Sequence, residues 1–434
     1  MGKQLFFAVV VAICVSLFCV GRVFGYLDAI PRLTVAGVPL ALCGVAAFAS
    51  IGYLTLRGRP FSFAYATAFY FFCIVTGYLW MLPGSQIPYN HAVAFVSAFA
   101  SGTFFMLATL SISARLPAIG LPTGTATILP LGSLLIAAAT VIVGTRYSFR
   151  LVSLSEIYSF RNELDFPGPL RYANGIVLSS LLPFAGAFFI ETRRYALAGA
   201  ALVLMASFYP ITLTKFSMFA PFWFLFLLAL AYVVRPRTAI VLSILLPILV
   251  GLASLPIDMA QQKSIYHIFG LINFRMFAIP SISLDVYNGF FATHHPTWFC
   301  QINVVRTIFG CDYDPQLGVE IAKAYPLGNF NASFLSTEGI ASVGPLLAPA
   351  TAVLCGVVIA IGSSTASHLP PRFVLLSSSI VVQQLINVPL STALLSHGAA
   401  LLFLLWYLMP ASALAPVALP PPAIKKRPAT LSEA

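Results

Sequence analysis

Apolar runs of roughly twenty residues, the length a helix needs to cross a hydrocarbon core, follow one another along most of this chain. On that rule the pattern predicts twelve spanning helices, at about 5–21, 34–56, 61–82, 92–112, 127–144, 173–190, 195–213, 216–234, 238–255, 340–362, 373–388 and 392–409. The seventh and eighth, and the last two, form tight hairpins around Lys215 and Asn387–Pro389. The fold class that follows is an all-α polytopic membrane protein: one transmembrane domain over 1–410, then a proline-rich tail over 411–434. The tail has no periodicity and is expected to be disordered.

Two polar breaks interrupt this pattern, at about 145–172 and 256–339. The longer holds six of the twelve acids (Asp258, Asp285, Asp312, Asp314, Glu320, Glu338) and three of the six histidines (His267, His294, His295). Ordering so long a loop costs conformational entropy that packing or ligand contacts must offset, so chemistry is expected here. The segment reads as a partly helical, mostly amphipathic cap lying on one face of the membrane domain.

Composition excludes a soluble protein. The chain is 59% hydrophobic and 8% charged, with a mean hydropathy of +0.94, where soluble domains carry about 25% charge. The net charge of +11 does not point to nucleic acid, because the basic residues come as ones and twos between apolar runs rather than as a stripe. Membrane topology accounts for them. With a cytoplasmic N-terminus, Lys3, Arg57, Arg59, Arg115, Arg193, Arg194, Arg235, Arg237, Arg372, Lys425, Lys426 and Arg427 all fall inside, in short loops and termini. Both polar breaks then fall outside and the C-terminus returns to the cytoplasm. The first span, preceded by Lys3, reads as an uncleaved anchor.

Five cysteines lie in apolar runs, and two, Cys300 and Cys311, lie in the long break. That pair is either two free thiols or a disulfide contributing roughly 3 kcal/mol.

In the shorter break, Ser153 and Glu156 have capping-box spacing, and Ile157, Phe160 and Leu164 recur at helical spacing. An interfacial helix there would gather Tyr158, Arg161 and Asn162, with Arg146, Arg150 and Arg171 close by. Arginines outside the membrane need a cause. They either fork onto phosphate oxygens or pair with Glu156, Glu163, Asp165 and lipid headgroups. Lys215 either snorkels to the interface or sets a point charge beside a phosphate. The longer break offers Arg275, Asp285, Tyr287, the His294–His295 pair, Asn331 and Glu338. Adjacent histidines are poor chelators and HExxH and CxxC are absent, so no metal is expected. Glu338 is either a base or the cap of the helix after it.

The strings EIYSFRNEL, LTKFSMF, RMFAIPSISLDVYNGFF and NFNASFLSTEGIASVG, set against this layout, resemble the oligosaccharide repeat-unit polymerases, the Wzy-type family that makes O-antigen, capsule and exopolysaccharide. The resemblance implies a glycosyltransferase at the outer face of the bacterial cytoplasmic membrane. A growing glycan would leave its undecaprenyl pyrophosphate and join a hydroxyl of the next lipid-linked unit. It implies pyrophosphate binding by Arg161, Arg275, Arg171 and Lys215, and a base in Glu338, then Asp285 or His294. Tyr158, Tyr287 and Asn331 would contact substrate. No cofactor is implied, since the lipid-linked donor stores the energy. The implied partners are the undecaprenyl-pyrophosphate-linked oligosaccharide, membrane lipid, a chain-length regulator and a flippase, with no nucleic acid. Two rivals share features: an O-antigen ligase, and a lipid-linked oligosaccharide flippase, which would place its charges inside helices rather than in outer loops.

Overall fold

The computed structural model describes residues 2–112, 121–152, 160, 164–260, 267–313, 317–325 and 332–414. Tyr158, Arg161, Asn331, the Ser153–Glu156 pair and the tail from 415 onward lie outside them. The chain folds as an all-α bundle, and among the described residues there is no strand. Among the described residues ten helices are long and apolar enough to cross a membrane. Nine come first: α1 (Lys3–Val23), α2 (Val38–Leu56), α3 (Phe63–Met81), α4 (His91–Ser111), α5 (Ile128–Thr145), α6 (Gly168–Glu191), α7 (Tyr195–Thr212), α8 (Lys215–Val233) and α9 (Pro236–Ala260). Then come α10 (267–291), the short α11 (Asn303–Phe309) and α12 (Leu317–Ala324), and the tenth long helix, α13 (Leu335–Ser364).

The last two predicted spans each break in two. The first becomes α14 (Pro371–Ser377) and α15 (Ser379–Leu385); the second becomes α16 (Leu390–Leu395) and α17 (Ala399–Leu408), parted at Gly398, whose φ is 71°. The tail's first residues, Ala411–Leu414, form a 3₁₀ turn with Leu414 buried.

Side-chain caps set several helix starts. Ser62, Asn90 and Thr214 accept hydrogen bonds from the backbone N–H groups of Tyr65, Val93 and Ser217, satisfying donors the helix itself leaves open. The centre of the bundle is α3, in which every residue from Phe63 to Met81 is buried. Its sequence is apolar on all sides, which suits a helix with no outward face. Lipid tails are as apolar as leucine, so close backbone approach rather than apolar burial holds such helices together. At the α4–α13 contact a methyl group on Gly356 would lie 2.8 Å from Ala108 Cβ and 3.1 Å from the Phe105 carbonyl oxygen.

The long polar break is not a cap. Its central part, α10, enters the bundle: Ile279 to Phe290 are all buried, packed against α3 and the first turns of α13, while the preceding 267–278 part packs against α9. The serines, aspartate and asparagines that look amphipathic in sequence are hydrogen-bonded inside rather than solvated. Asn273 Nδ2 donates to Ser16 Oγ at 2.8 Å and to the Ile248 carbonyl at 3.2 Å, and Ser281 Oγ donates to the Ile74 carbonyl at 3.0 Å. Phe274 stacks on Phe24, just past α1, and Asp285 meets Ser85, just past α3. Both ends of α10 therefore stay near one end of the bundle.

Wide π-helical turns occur at Val177–Leu181, Gly270–Ala278 and Leu335–Ala341, a geometry often found at functional sites. Three residues beyond the last of these, Gly344 (φ 78°) kinks α13. The carbonyls of Ala341 and Ser342, exposed by the kink, accept the N–H groups of Thr297 and Trp298.

Candidate functional site

The site is built from α10 and the connection Leu82–His91 between α3 and α4. A 3₁₀ turn over Leu82–Gly84 ends α3, and Pro88, which has no N–H to give a helix, lies in the irregular stretch that brings Ser85 and Tyr89 onto α10. Ser85 Oγ donates to Asp285 Oδ2 at 2.9 Å, and the Tyr89 hydroxyl donates to Asp285 Oδ1. Behind Tyr89 stands Tyr78, 3.3 Å hydroxyl to hydroxyl, and Asn288 Nδ2 donates to Tyr78 at 3.3 Å. His91 packs edge-on against the Tyr89 ring at 4.5 Å. Gly289 makes the close approach possible: a methyl there would lie 2.2 Å from Ile87 Cγ2 and 2.9 Å from the Tyr325 hydroxyl.

Burial dominates the electrostatics. Asp285 is 1% exposed, and loss of hydration pushes its carboxyl up to about 6 against the opposing pull of Tyr89, Ser85 and the His91 charge. Burial likewise raises the Tyr89 phenol. Ser85, Tyr89 and His91 are only half-buried, so hydroxyl and imidazole groups lead from the carboxylate toward the surface. A carboxylate tuned toward neutrality is suited to take a proton from a hydroxyl and release it again.

Glu338 is also buried but differently held. It accepts from the Ser391 N–H at 3.0 Å, from Ser391 Oγ at 3.0 Å and from Thr337 Oγ1. It therefore caps a helix, as the sequence allowed, but the helix is α16 rather than its own. Tyr287 is buried, and burial together with the Glu338 charge raises its phenol. Ser283 and Ser336 touch at 3.2 Å between hydroxyls. Residues two apart on a helix point about 200° from each other, so Ser283 and Tyr287 face the Glu338 turn while Asp285 faces away. The two acids meet the same helix from opposite sides.

The remaining candidates do not converge on Asp285. His294 stacks on Phe290 at 3.9 Å with Nδ1 2.8 Å from the Phe290 carbonyl oxygen, closing the end of α10. Arg275 is exposed and lies ten residues before Asp285, about 15 Å along a helix. Arg171 is exposed, 3.9 Å from Asp165 and bonded to the Phe166 carbonyl at 3.3 Å. Lys215 opens α8. The 146–152 segment is tied over that hairpin by Arg150 N–H to the Pro210 carbonyl at 2.9 Å and the Tyr209 hydroxyl to the Val152 carbonyl. Cys300 and Cys311 are bridged, with Cα atoms 5.3 Å apart.

No protein-family model, curated protein or solved structure matches the chain. The residues that sequence reasoning passed over are Ser85, Tyr89, His91, Tyr78, Asn288 and Ser391. A signal for the first three was present: GSQIPYNH packs five polar residues and a proline into a span-to-span connection, more than a turn requires.

Proposed function

We propose that this chain is a bacterial cytoplasmic-membrane glycosyltransferase that polymerises undecaprenyl-pyrophosphate-linked oligosaccharide units on the outer face, with both termini cytoplasmic. The observation that carries the reading is the caged carboxylate of Asp285. In the reaction the acceptor hydroxyl oxygen attacks the anomeric carbon of the donor glycan. The bond from that carbon to the pyrophosphate oxygen breaks, and the hydroxyl proton passes to Asp285. A carboxyl near 6 accepts that proton at neutral pH and returns it by way of the half-buried hydroxyls of Ser85 and Tyr89. Arg275 and Arg171 are exposed, and Lys215 opens α8. None touches the Asp285 cage, so they are assigned to the phosphate end of the donor lipid, together with Arg161. The Cys300–Cys311 bridge supports an oxidising face for the loop that holds it.

One observation favours a second reading. Asp285 and Glu338 are buried within helices rather than displayed on outer loops, the placement expected of a lipid-linked oligosaccharide flippase that carries a proton.

The test is reconstitution in proteoliposomes with lipid-linked repeat units from the producing cells. A ladder of glycan lengths that Asp285→Asn abolishes supports the polymerase. Transfer to a lipid A core without elongation would make the chain a ligase, and translocation without any new glycosidic bond would make it a transporter.

A further inference from the structure

Beyond α10 the chain forms a disulfide-closed loop that no step above uses. Between its arms lies a cleft of about 470 Å³ lined by His295, Thr297, Trp298, Phe309, Asp312 and Tyr313, among others, within the size range of small-molecule sites. Trp298 and Phe309 are 64% and 81% exposed, so both rings are open to a ligand. Trp298 and Phe299 also both have positive φ, 50° and 66°, an arrangement that bulky residues adopt only where their surroundings impose it. Here the bridge to Cys311 and the Thr297 and Trp298 N–H bonds to α13 hold it.

The polar side of the cleft is equally organised. His295 Nε2 lies 3.2 Å from Asp312 Oδ2, and the Tyr313 hydroxyl lies 3.0 Å from His295 Nδ1. No lysine or arginine is among the described residues lining it, so it does not suit a phosphate. Rings with a negative face suit polarised C–H groups, and a carboxylate, an imidazole and a phenol suit hydroxyls. A pyranose presents both.

We infer that this cleft binds a saccharide, holding the glycan of one lipid-linked unit while its end reaches Asp285. The inference rests on the glycosyl-transfer reading and names where the glycan sits. The geometry is continuous: Tyr313 packs edge-on over Phe291 at 5.9 Å, and Phe291 lies six residues, about 9 Å of helix, beyond Asp285.

Tryptophan fluorescence reads this site directly. Trp80 and Trp406 are buried and Trp223 is half-buried with its indole bonded to the Ser379 carbonyl, which leaves Trp298 as the exposed emitter. In lipid nanodiscs aqueous iodide should quench a fraction of the emission that Trp298→Phe removes. Oligosaccharides released by mild acid from the lipid-linked pool of the producing cells should protect that fraction. Phe309→Ala and Asp312→Asn should each weaken the protection at least tenfold. Quenching by brominated lipid instead of iodide would mean that the loop is a membrane anchor and would overturn the inference. So would an absence of protection, or protection unchanged in both variants. Absent protection with normal polymer elongation sinks the cleft alone; protection without any glycosyl transfer upholds the cleft and sinks the polymerase.

Discussion

Asp285 and Glu338 are both buried carboxylates beside π-helical turns, yet their surroundings assign them opposite work. Glu338 accepts a backbone N–H and a hydroxyl of Ser391, at the first turn of α16. Its partners are fixed by the fold, and its charge answers the helix N-terminus. Asp285 is held by two side-chain hydroxyls, with a histidine behind them and a half-buried route outward. Both acids accept from two hydroxyls, but only Glu338 also takes a backbone amide, which anchors a charge, and only the hydroxyls on Asp285 lie on half-buried residues from which a proton can leave. Burial alone therefore does not mark the base; the chemistry of the partners does.

Exchanging each acid for its amide or alanine breaks or keeps that contrast. Asp285→Asn should cut polymer formation by roughly a hundredfold or more, the scale of a lost general base, with membrane levels near normal. Glu338→Ala should lower the amount of folded protein while activity per folded molecule stays within about threefold, since a lost cap costs ~1 kcal/mol or somewhat more. Quantitative immunoblotting beside a polymer-ladder assay separates the two. If Glu338→Ala abolished turnover at full abundance and Asp285→Asn did not, the roles would have to be exchanged. In the wild type, kcat/KM should fall about tenfold per pH unit below about 6, where the Asp285 carboxyl of the free protein takes up its proton. A profile flat from pH 7 to pH 5 would remove Asp285 as the base.

A smaller effect is expected at the arginines. Arg275→Ala should raise KM for the lipid donor up to about tenfold with kcat within twofold, the signature of binding shared by ground and transition states. Arg171→Ala should do less, because its guanidinium is 68% exposed and already beside Asp165, and exposed pairs contribute little. A tenfold loss of kcat at Arg275 would put the reacting phosphate beside it, too far from Asp285 for that residue to act.

The bundle was legible because lipid-facing and core helices alike need long apolar runs, and α1 to α9 and α13 follow those runs within about five residues of each predicted boundary, α6 and α13 starting five earlier and α9 ending five later. The last two predicted spans hold helices too, but hydropathy does not register the breaks within them at Ser378 and Gly398. Asp285 was legible as a candidate, since an acid in an otherwise polar-poor chain is conspicuous. Its burial was not, because IPSISLDVYNGFF has the same spacing whether its serines face water or face Ile74 and Ser336. Nor was Tyr89, whose 196-residue separation from Asp285 no local pattern bridges. The disulfide, left open by spacing, is settled by the 5.3 Å approach of its Cα atoms.

The last effect is thermodynamic and it has a sign. Burial raises the Asp285 carboxyl from 3.8 to about 6, so between those values the folded chain holds a proton that the unfolded chain has released. Folding stability from this group is therefore full below pH 3.8, declines as pH rises, and is lost by about pH 6. The loss is about 3 kcal/mol from the size of the shift. Asn at 285 keeps the volume and cannot ionise. In detergent, Asp285→Asn should melt close to wild type at pH 4 and above it at pH 7, the gap opening between those values. A gap independent of pH would mean that the carboxylate is solvated in the folded protein and that hydroxyls alone set its environment. A variant more stable yet inactive at neutral pH is what a strained, functional carboxylate predicts, and a purely structural one, like Glu338, does not.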